Sequence, residues 1–83
     1  MGDWKKTPTD VFGEVLRELR VQRGLTQEAL ALDAGTERSH ISALERAEKG
    51  PSLATILRLA QALGISAGEI VDRVERRLLE KKR

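Results

Sequence analysis

Apolar residues recur at intervals of three and four along almost the whole chain, which is the spacing that lines one face of an α-helix. The pattern divides into five segments, and a hydroxyl residue suited to capping a helix precedes each one: Thr7, Thr26, Thr36, Ser52 and Ser66. Three of the segments end at a glycine: Gly24, Gly35 and Gly64. No segment alternates with the period of a β-strand. The sequence therefore predicts an all-α domain of five helices joined by short loops.

The pattern also indicates which faces are packed. Gly13 lowers the helix propensity of the first segment and marks a position of close packing. The fourth segment, LATILRLAQAL, is apolar over much of its surface, which predicts that it is the central core helix. The fifth, about residues 66–79, carries a long stripe: Ile70, Val71, Val74 and Leu78. The stripe either packs on the chain's own core or forms a dimer interface, and the distance of its end from the other apolar segments favours the dimer.

Spaced residues after Gln27 indicate how the second and third helices meet. Counted from Ala31, Gly35 comes four positions later, Ile41 ten positions later and Leu44 thirteen positions later. Two helices that cross steeply with almost no linker need a small residue at their closest approach and a residue that tolerates positive φ at the corner. They also need apolar anchors that seat the second helix. The spacing therefore predicts a helix-turn-helix.

Composition limits the chemistry available to the chain. Its 83 residues suit one domain, and the absence of cysteine excludes disulfides, thiolate metal sites and cysteine nucleophiles. No glycine-rich phosphate loop and no hydrolytic motif occurs, so we expect neither an enzyme nor a cofactor. No apolar run reaches the roughly 18 residues of a membrane span, and no apolar stretch at the start indicates a signal peptide. We therefore expect a cytoplasmic protein.

Charge is unevenly distributed around a formal net charge of +2. Residues 73–83 hold six basic and two acidic residues, whereas residues 7–72 hold seven basic and ten acidic ones. We divide the chain into a basic N-terminal arm (1–7), a helical domain (8–79) and a basic tail (80–83). Because the central body is acidic, bulk charge does not indicate nucleic-acid binding, and particular residues have to carry it.

The segments LRELRVQRGLTQEALALDAG, ISALER and PSLATILRLAQALGIS resemble the Cro/repressor-type (XRE-like) helix-turn-helix proteins of bacteria and phages. The resemblance covers about residues 12–70. It implies a compact five-helix, lambda-repressor-like fold and a transcriptional regulator similar to the stand-alone controller proteins of restriction–modification systems. It further implies a homodimer on a pseudo-palindromic operator, with a recognition helix (about residues 36–46) in the DNA major groove.

One position departs from the family's pattern. Ala47 follows ISALER, where the family usually carries glycine. Because alanine tolerates the left-handed conformation poorly, we expect the third helix to end elsewhere, at about Gly50.

The resemblance places the base-reading positions on the outward face of the third helix, at Arg38, Ser39 and Ala43, with His40 and Ser42 beside them. Arg38 is the leading candidate because its guanidinium group matches O6 and N7 of guanine. Ser39 can donate or accept a hydrogen bond, and Ala43 suits a thymine methyl group. The alternative for Arg38 is a solvated or ion-paired arginine.

Phosphate contacts are expected at the N-terminus of the second helix and at both ends of the recognition helix. The candidates are Thr26, Gln27, Glu37, Arg46, Lys49, Lys5 and Lys6. The resemblance gives the leading role to Gln27, with the alternative that it is only a polar residue of a first turn. Lys5 and Lys6 either follow the DNA backbone as an arm or are merely solvated.

The remaining assignments concern support and alternatives. In the family, an arginine near the end of the first helix pairs with the glutamate of ER in the third, which predicts a partly buried pair between Arg20 and Glu45. His40 and Glu37 have a spacing that can share a metal ion, but no second histidine or third convergent carboxylate accompanies them. A different function, an antitoxin or coactivator-like protein-interaction module on the same fold, fits the acidic body and the apolar fifth helix.

Overall fold

The computed structural model describes residues 6–80 and consists of five α-helices in that range. They are α1 (Pro8–Gln22), α2 (Gln27–Ala34), α3 (Arg38–Glu45), α4 (Leu53–Leu63) and α5 (Ala67–Glu80). The described range contains no β-strand, so the predicted all-α, five-helix fold is confirmed. Most of the predicted N-terminal arm and C-terminal tail lies outside the described residues.

Four of the five predicted caps start their helices. The side-chain oxygen of each accepts the backbone N–H three residues later at 3.0–3.1 Å: Thr7, Thr26, Ser52 and Ser66. At α1 the bond is reciprocated, because the Asp10 carboxylate accepts the Thr7 backbone N–H at 3.0 Å. The helix starts were therefore readable from single residues.

The prediction that Thr36 caps α3 is wrong. The N-cap is Glu37, which makes no side-chain cap hydrogen bond. Thr36 instead belongs to the end of α2, because its backbone N–H donates to the Ala31 carbonyl at 2.9 Å after Gly35 turns left-handed at φ 71°. Its hydroxyl oxygen lies 2.9 Å from Nδ1 of His40. The corner between the two helices thus uses one residue more than the pattern indicated.

The end of α3 also differs from the prediction. The helix ends at Glu45 rather than at about Gly50, and Ala47 adopts the left-handed conformation at φ 61°. The turn is closed by backbone hydrogen bonds from Ala47 to the Leu44 carbonyl (3.1 Å) and from Glu48 to the Ala43 carbonyl (2.9 Å). This pattern is a Schellman motif, normally built with glycine. Its two hydrogen bonds outweigh the left-handed strain, which is about 1–2 kcal/mol for alanine.

The core is centred on α1 rather than on α4. α1 packs against α3 and α5, and α2 packs against α3 and α4. Five α1 side chains belong to the buried core: Val11, Phe12, Val15, Leu16 and Leu19. α4 contributes only Leu59, Ala60 and Leu63, while Leu53 and Leu57 are 72% and 53% exposed. The prediction of a central α4 is wrong because its apolar arc is wider than the face it buries.

Gly13 lies where α1 crosses the C-terminus of α3. A Cβ atom added at this position would come within 2.6 Å of the Leu44 carbonyl oxygen and 2.8 Å of the Glu45 carbonyl oxygen. Both neighbours are backbone atoms, so the predicted close packing is confirmed. The contact fixes the position of α3 against α1.

The apolar stripe of α5 faces the chain's own core for most of its length. Ile70 and Leu78 are 0% and 5% exposed, and Val74 packs against the core, whereas Val71 is half exposed. The expectation that Leu78 lies far from the core is therefore wrong. It fails because α5 packs along α1. This packing weakens both hypotheses that drew on the stripe: the dimer interface at Ile70, Val71, Val74 and Leu78, and the protein-interaction module, which also drew on the acidic body.

Ion pairs also join α5 to α1. Arg77 donates to Glu18 at 2.6 and 2.9 Å and approaches Glu14 at 3.4 Å, and Glu14 also accepts from Lys6. The hydrogen bond from Arg77 lowers the pKa of Glu18, and that from Lys6 lowers the pKa of Glu14.

Within residues 6–80 no single helix is long and apolar enough to cross a membrane, and α4 and α5 pass that test only as a pair bent by 106°.

Candidate nucleic-acid interface

The helix-turn-helix predicted from spacing is present in α2 and α3. Ala31 is 3% exposed at the approach of the two helices, and Gly35 makes the left-handed corner. Ile41 and Leu44 are both 0% exposed and seat α3 on the core. These four residues hold α3 so that its opposite face is outward.

The outward face of α3 carries four of the five predicted base-reading residues. Arg38 and Ser39 are exposed at its N-terminal end, and Ser42 and Ala43 follow one turn later, half-buried. Arg38 and Ser42 are four residues apart and lie on one row of the helix surface. Within the described range the Arg38 side chain makes no ion pair and no hydrogen bond, so its guanidinium group faces solvent.

His40 does not join this face. Its ring is half-buried, and its Nδ1 lies 2.9 Å from the hydroxyl of Thr36, at the corner with α2. No group of three or more histidine, aspartate and glutamate residues suited to a metal ion occurs within residues 6–80. The arrangement makes His40 part of the corner rather than of the outward row.

A partly buried ion pair supports α3 on the side opposite its outward face. Arg20 donates from Nε and Nη2 to the two carboxylate oxygens of Glu45 at 2.6 and 3.1 Å, and from Nη1 to the Leu25 carbonyl at 2.8 Å. The side chains of Arg20 and Glu45 are only 12% and 5% exposed. The Glu45 carboxylate raises the pKa of Arg20. The predicted pair is confirmed. It joins α1 to α3 and to the loop that precedes α2.

This helix-turn-helix matches a known family. Residues 16–70 match the family model described as Helix-turn-helix. The chain belongs to the XRE-type helix-turn-helix family. Its members are DNA-binding transcriptional regulators, and this function extends to the present chain.

Two relatives and two solved structures illustrate the match. Over 61 residues the chain is 41% identical to the uncharacterized HTH-type transcriptional regulator y4dJ of Sinorhizobium fredii, covering 74% of this chain and 79% of that one. It is 32% identical over 63 residues to the control protein C.BamHI of Bacillus amyloliquefaciens, covering 75% and 78%. The crystal structure of the restriction-modification controller protein C.AhdI from Aeromonas hydrophila has 45% identity and a TM-score of 0.73, covering 75% and 94%. The clp gene regulator ClgR from C. glutamicum, at 24% identity, TM-score 0.82 and coverage of 89% and 96%, shares the fold.

Gln27 of this XRE-type domain belongs to the buried network. Its Nε2 donates to Oε1 of Glu45 at 3.0 Å, a contact that the sequence did not reveal. A side-chain amide has two protons, so one remains for another acceptor. Gln27 is the first residue of α2, and Thr26 before it uses its hydroxyl to cap the helix. The network therefore orients Gln27 at the helix N-terminus, where anions bind favourably.

The other predicted phosphate ligands fall into different situations. Lys49 is exposed, and Glu37 is exposed at the N-cap of α3. Because a carboxylate has no proton to donate, a phosphate contact at Glu37 would have to come from its backbone N–H. Lys6 pairs with Glu14 on α1. Lys5 lies outside the described residues.

Arg46 is already engaged within the chain. Its Nη1 donates to the Ser42 hydroxyl at 2.6 Å, and its Nε and Nη2 donate to the two carboxylate oxygens of Glu48 at 2.9 and 3.0 Å. The hydrogen bond from Arg46 lowers the pKa of Glu48. Sequence reasoning missed Glu48 because the two residues are only two positions apart. The left-handed turn at Ala47 is what brings them together.

Proposed function

We propose that the protein is a sequence-specific transcriptional regulator that binds a pseudo-palindromic operator as a homodimer, with α3 in the DNA major groove. The observation that carries this proposal is the outward row of α3, where Arg38 faces solvent with no partner in the described range. Such a regulator acts in the cytoplasm, where the DNA of bacteria and phages lies.

The dimensions of α3 suit this role. An α-helix with its side chains is about 10–12 Å across, which fits the major groove with its width of about 12 Å. In helix-turn-helix proteins the N-terminal residues of the recognition helix meet the base edges. Arg38 and Ser39 occupy that end here. Arg38 can bind O6 and N7 of one guanine through two parallel hydrogen bonds, and Ser39 can bind an adjacent base.

Phosphate binding is assigned to the N-terminus of α2. Gln27 offers its second amide proton there, held in place by Glu45 behind it. A phosphate bound at this point fixes the register of α3 without contributing sequence preference. The same buried pair thus supports both the base-reading helix and the phosphate ligand.

The dimer interface is assigned to the exposed apolar surface of α4 and the neighbouring part of α5. Leu53 and Leu57 lie four residues apart on α4, and Val71 on α5 is 50% exposed. A shallow groove between the start of α1, the α3–α4 loop and α5 extends this surface through Pro51 and Ile56. To read two half-sites one helical turn apart, the dimer has to hold its two copies of α3 about 34 Å apart.

Selection of binding sites from random duplex DNA tests the base-reading assignment. The wild type is expected to enrich an inverted repeat with one guanine fixed in each half-site. Arg38→Ala is expected to lose that guanine preference and about 1–3 kcal/mol of discrimination. Arg17→Ala, which removes an exposed arginine from α1, is the charge-matched control and should select the wild-type site. Recovery of no sequence by the wild type would refute the proposed function.

Sedimentation of a Leu53→Asp, Leu57→Asp double variant tests the dimer. Two carboxylates in an apolar interface cannot be paired, so the variant should be monomeric at concentrations where the wild type is dimeric. Leu32→Asp, at an 80% exposed leucine of α2, controls for the loss of surface leucine. A variant that dimerises as tightly as the wild type would show that the interface is elsewhere.

A further inference from the structure

Arg46 and Glu48 form a pair with the geometry of a phosphate complex. Both carboxylate oxygens of Glu48 accept from one edge of the guanidinium group, at 2.9 and 3.0 Å. A phosphate binds arginine in the same way, through two oxygens and two parallel N–H donors. Both side chains are more than half exposed, so a phosphate in solution can reach the same donors.

The pair lies on the surface that the proposed function turns toward DNA. Arg46 follows Arg38 and Ser42 at intervals of four residues, which continues the same row past the end of α3. The hydrogen bond from Nη1 of Arg46 to the Ser42 hydroxyl at 2.6 Å confirms that the guanidinium group lies over this row. The arginine at this end of the row is therefore already bound to a carboxylate.

The backbone holds the carboxylate in that position. Ala47 reverses the chain at φ 61°, and the Glu48 backbone N–H is bonded to the Ala43 carbonyl at 2.9 Å. The backbone hydrogen bond of this turn thus anchors Glu48, two residues after Arg46, beside the arginine side chain.

From this geometry we propose that Glu48 competes with DNA phosphate for Arg46 and so limits the affinity of the protein for the DNA backbone. The inference rests on the proposed function. When DNA binds, a phosphate replaces the carboxylate on Nε and Nη2 of Arg46, and the Glu48 side chain turns into solvent. The exchange replaces one ion pair with another, so Arg46 contributes less to DNA affinity than a free arginine would. The effect is independent of base sequence, because it acts on a backbone contact.

The test is a double-mutant cycle on random-sequence duplex DNA, read by fluorescence anisotropy between 50 and 200 mM KCl. The variants are Glu48→Gln, Arg46→Met and the double variant. With Arg46 present, Glu48→Gln should raise affinity about three- to tenfold at the low-salt end and steepen the slope of log affinity against log salt by up to about 0.9, the value of one phosphate contact. With Met at position 46, the same substitution should change affinity by less than twofold.

Glu75→Gln is the matched control, because it removes one exposed carboxylate from α5, away from α3. It separates competition for Arg46 from a general gain in positive charge. Circular dichroism melting of each variant verifies folding. An equal gain from Glu48→Gln in both backgrounds, or no loss of affinity in Arg46→Met, overturns the competition and leaves the proposed function standing. No salt-dependent binding by the wild type overturns both.

Discussion

Replacing Glu45 with glutamine removes one negative charge from beneath the recognition helix and alters little else in shape. In the wild type, the two Glu45 oxygens accept three hydrogen bonds, two from Arg20 and one from Gln27. Glutamine retains one acceptor oxygen but presents an amide N–H₂ group to the other donor. Arg20 is left as a charged guanidinium group, 12% exposed, with only the Leu25 carbonyl and part of its former partner to bind.

The expected cost follows from that burial. Breaking one side of a fully buried ion pair costs about 3–5 kcal/mol, because the remaining charge is stranded. Arg20 keeps some contact with water and two acceptors, which reduces the expected loss to about 2–3 kcal/mol. Domains are stable by only about 5–15 kcal/mol, so this loss is large. It corresponds to a fall in melting temperature of roughly 10–20 °C for a domain of this size.

Urea denaturation followed by circular dichroism measures the effect. We expect the midpoint to fall by about 2 M with an unchanged slope. The double variant Arg20→Met, Glu45→Met is the control, since removing both charges leaves nothing stranded and should recover most of the stability. Operator affinity should also fall in Glu45→Gln, because Gln27 and Arg20 then compete for the single acceptor oxygen that remains. A midpoint and an affinity both unchanged in Glu45→Gln would refute the supporting role of the pair.

Three further substitutions test the packing, the α3 turn and the ion pairs of α5. Gly13→Ala should destabilise the fold by about 2–3 kcal/mol, because its Cβ would press on two α3 carbonyl oxygens and separate α1 from the recognition helix. Ala47→Gly should stabilise the fold by about 0.5–1 kcal/mol. The substitution relieves the left-handed strain, and the greater conformational entropy of glycine in the unfolded chain offsets part of that gain. Arg77→Met should weaken the fall in stability on acidification. Arg77 is the main cause of the lowered pKa of Glu18 and, after Lys6, a second cause of the lowered pKa of Glu14. The stabilisation is complete above the ordinary pKa of about 4.5 and is lost as pH falls through the lowered values. Since these side chains keep 27–49% of their surface in contact with solvent, the difference near pH 7 should be under about 1 kcal/mol.

Matched substitutions separate these effects from general propensity. Gly68→Ala in α5 adds a Cβ whose nearest neighbour is 3.9 Å away, and it should be neutral or slightly stabilising. Ala54→Gly, at an exposed site of α4, should destabilise by up to about 1 kcal/mol, the opposite sign to Ala47→Gly. Thermal melts check both. Equal effects at Gly13 and Gly68, or the same sign at Ala47 and Ala54, would contradict the assignments. For Arg77→Met, a dependence of stability on pH that runs parallel to that of the wild type would contradict the role assigned to Arg77.

Features set by neighbouring residues were readable from the sequence. The hydroxyl caps of α1, α2, α4 and α5 and the glycine turns at Gly35 and Gly64 depend on one residue and the backbone beside it. The anchors Ile41 and Leu44 and the pair of Arg20 with Glu45 followed from spacing and from the family pattern. The outward position of Arg38 then followed by exclusion.

Features set by competition between distant parts of the chain were not readable. Thr36 does not cap α3 because its backbone N–H is bonded to the Ala31 carbonyl in the turn that ends α2. The pattern in α4 exaggerated its burial, since apolar periodicity does not say how much of a face finds a partner. Gln27 and Glu48 took unexpected partners because polar side chains pair according to how the helices meet. Ala47 shows that a well-bonded turn tolerates a residue that local preference disfavours.

The central claim is that Arg38 reads a guanine in the major groove, and a single atomic substitution in DNA tests it most directly. The selected operator is prepared with 7-deazaguanine at the fixed guanine of each half-site, which removes the N7 acceptor and leaves base pairing intact. The wild type should lose roughly tenfold in affinity per half-site, the equivalent of about 1.4 kcal/mol, whereas Arg38→Ala should bind both duplexes equally. If Arg38→Ala is as sensitive to the substitution as the wild type, another residue contacts that base and the claim is contradicted.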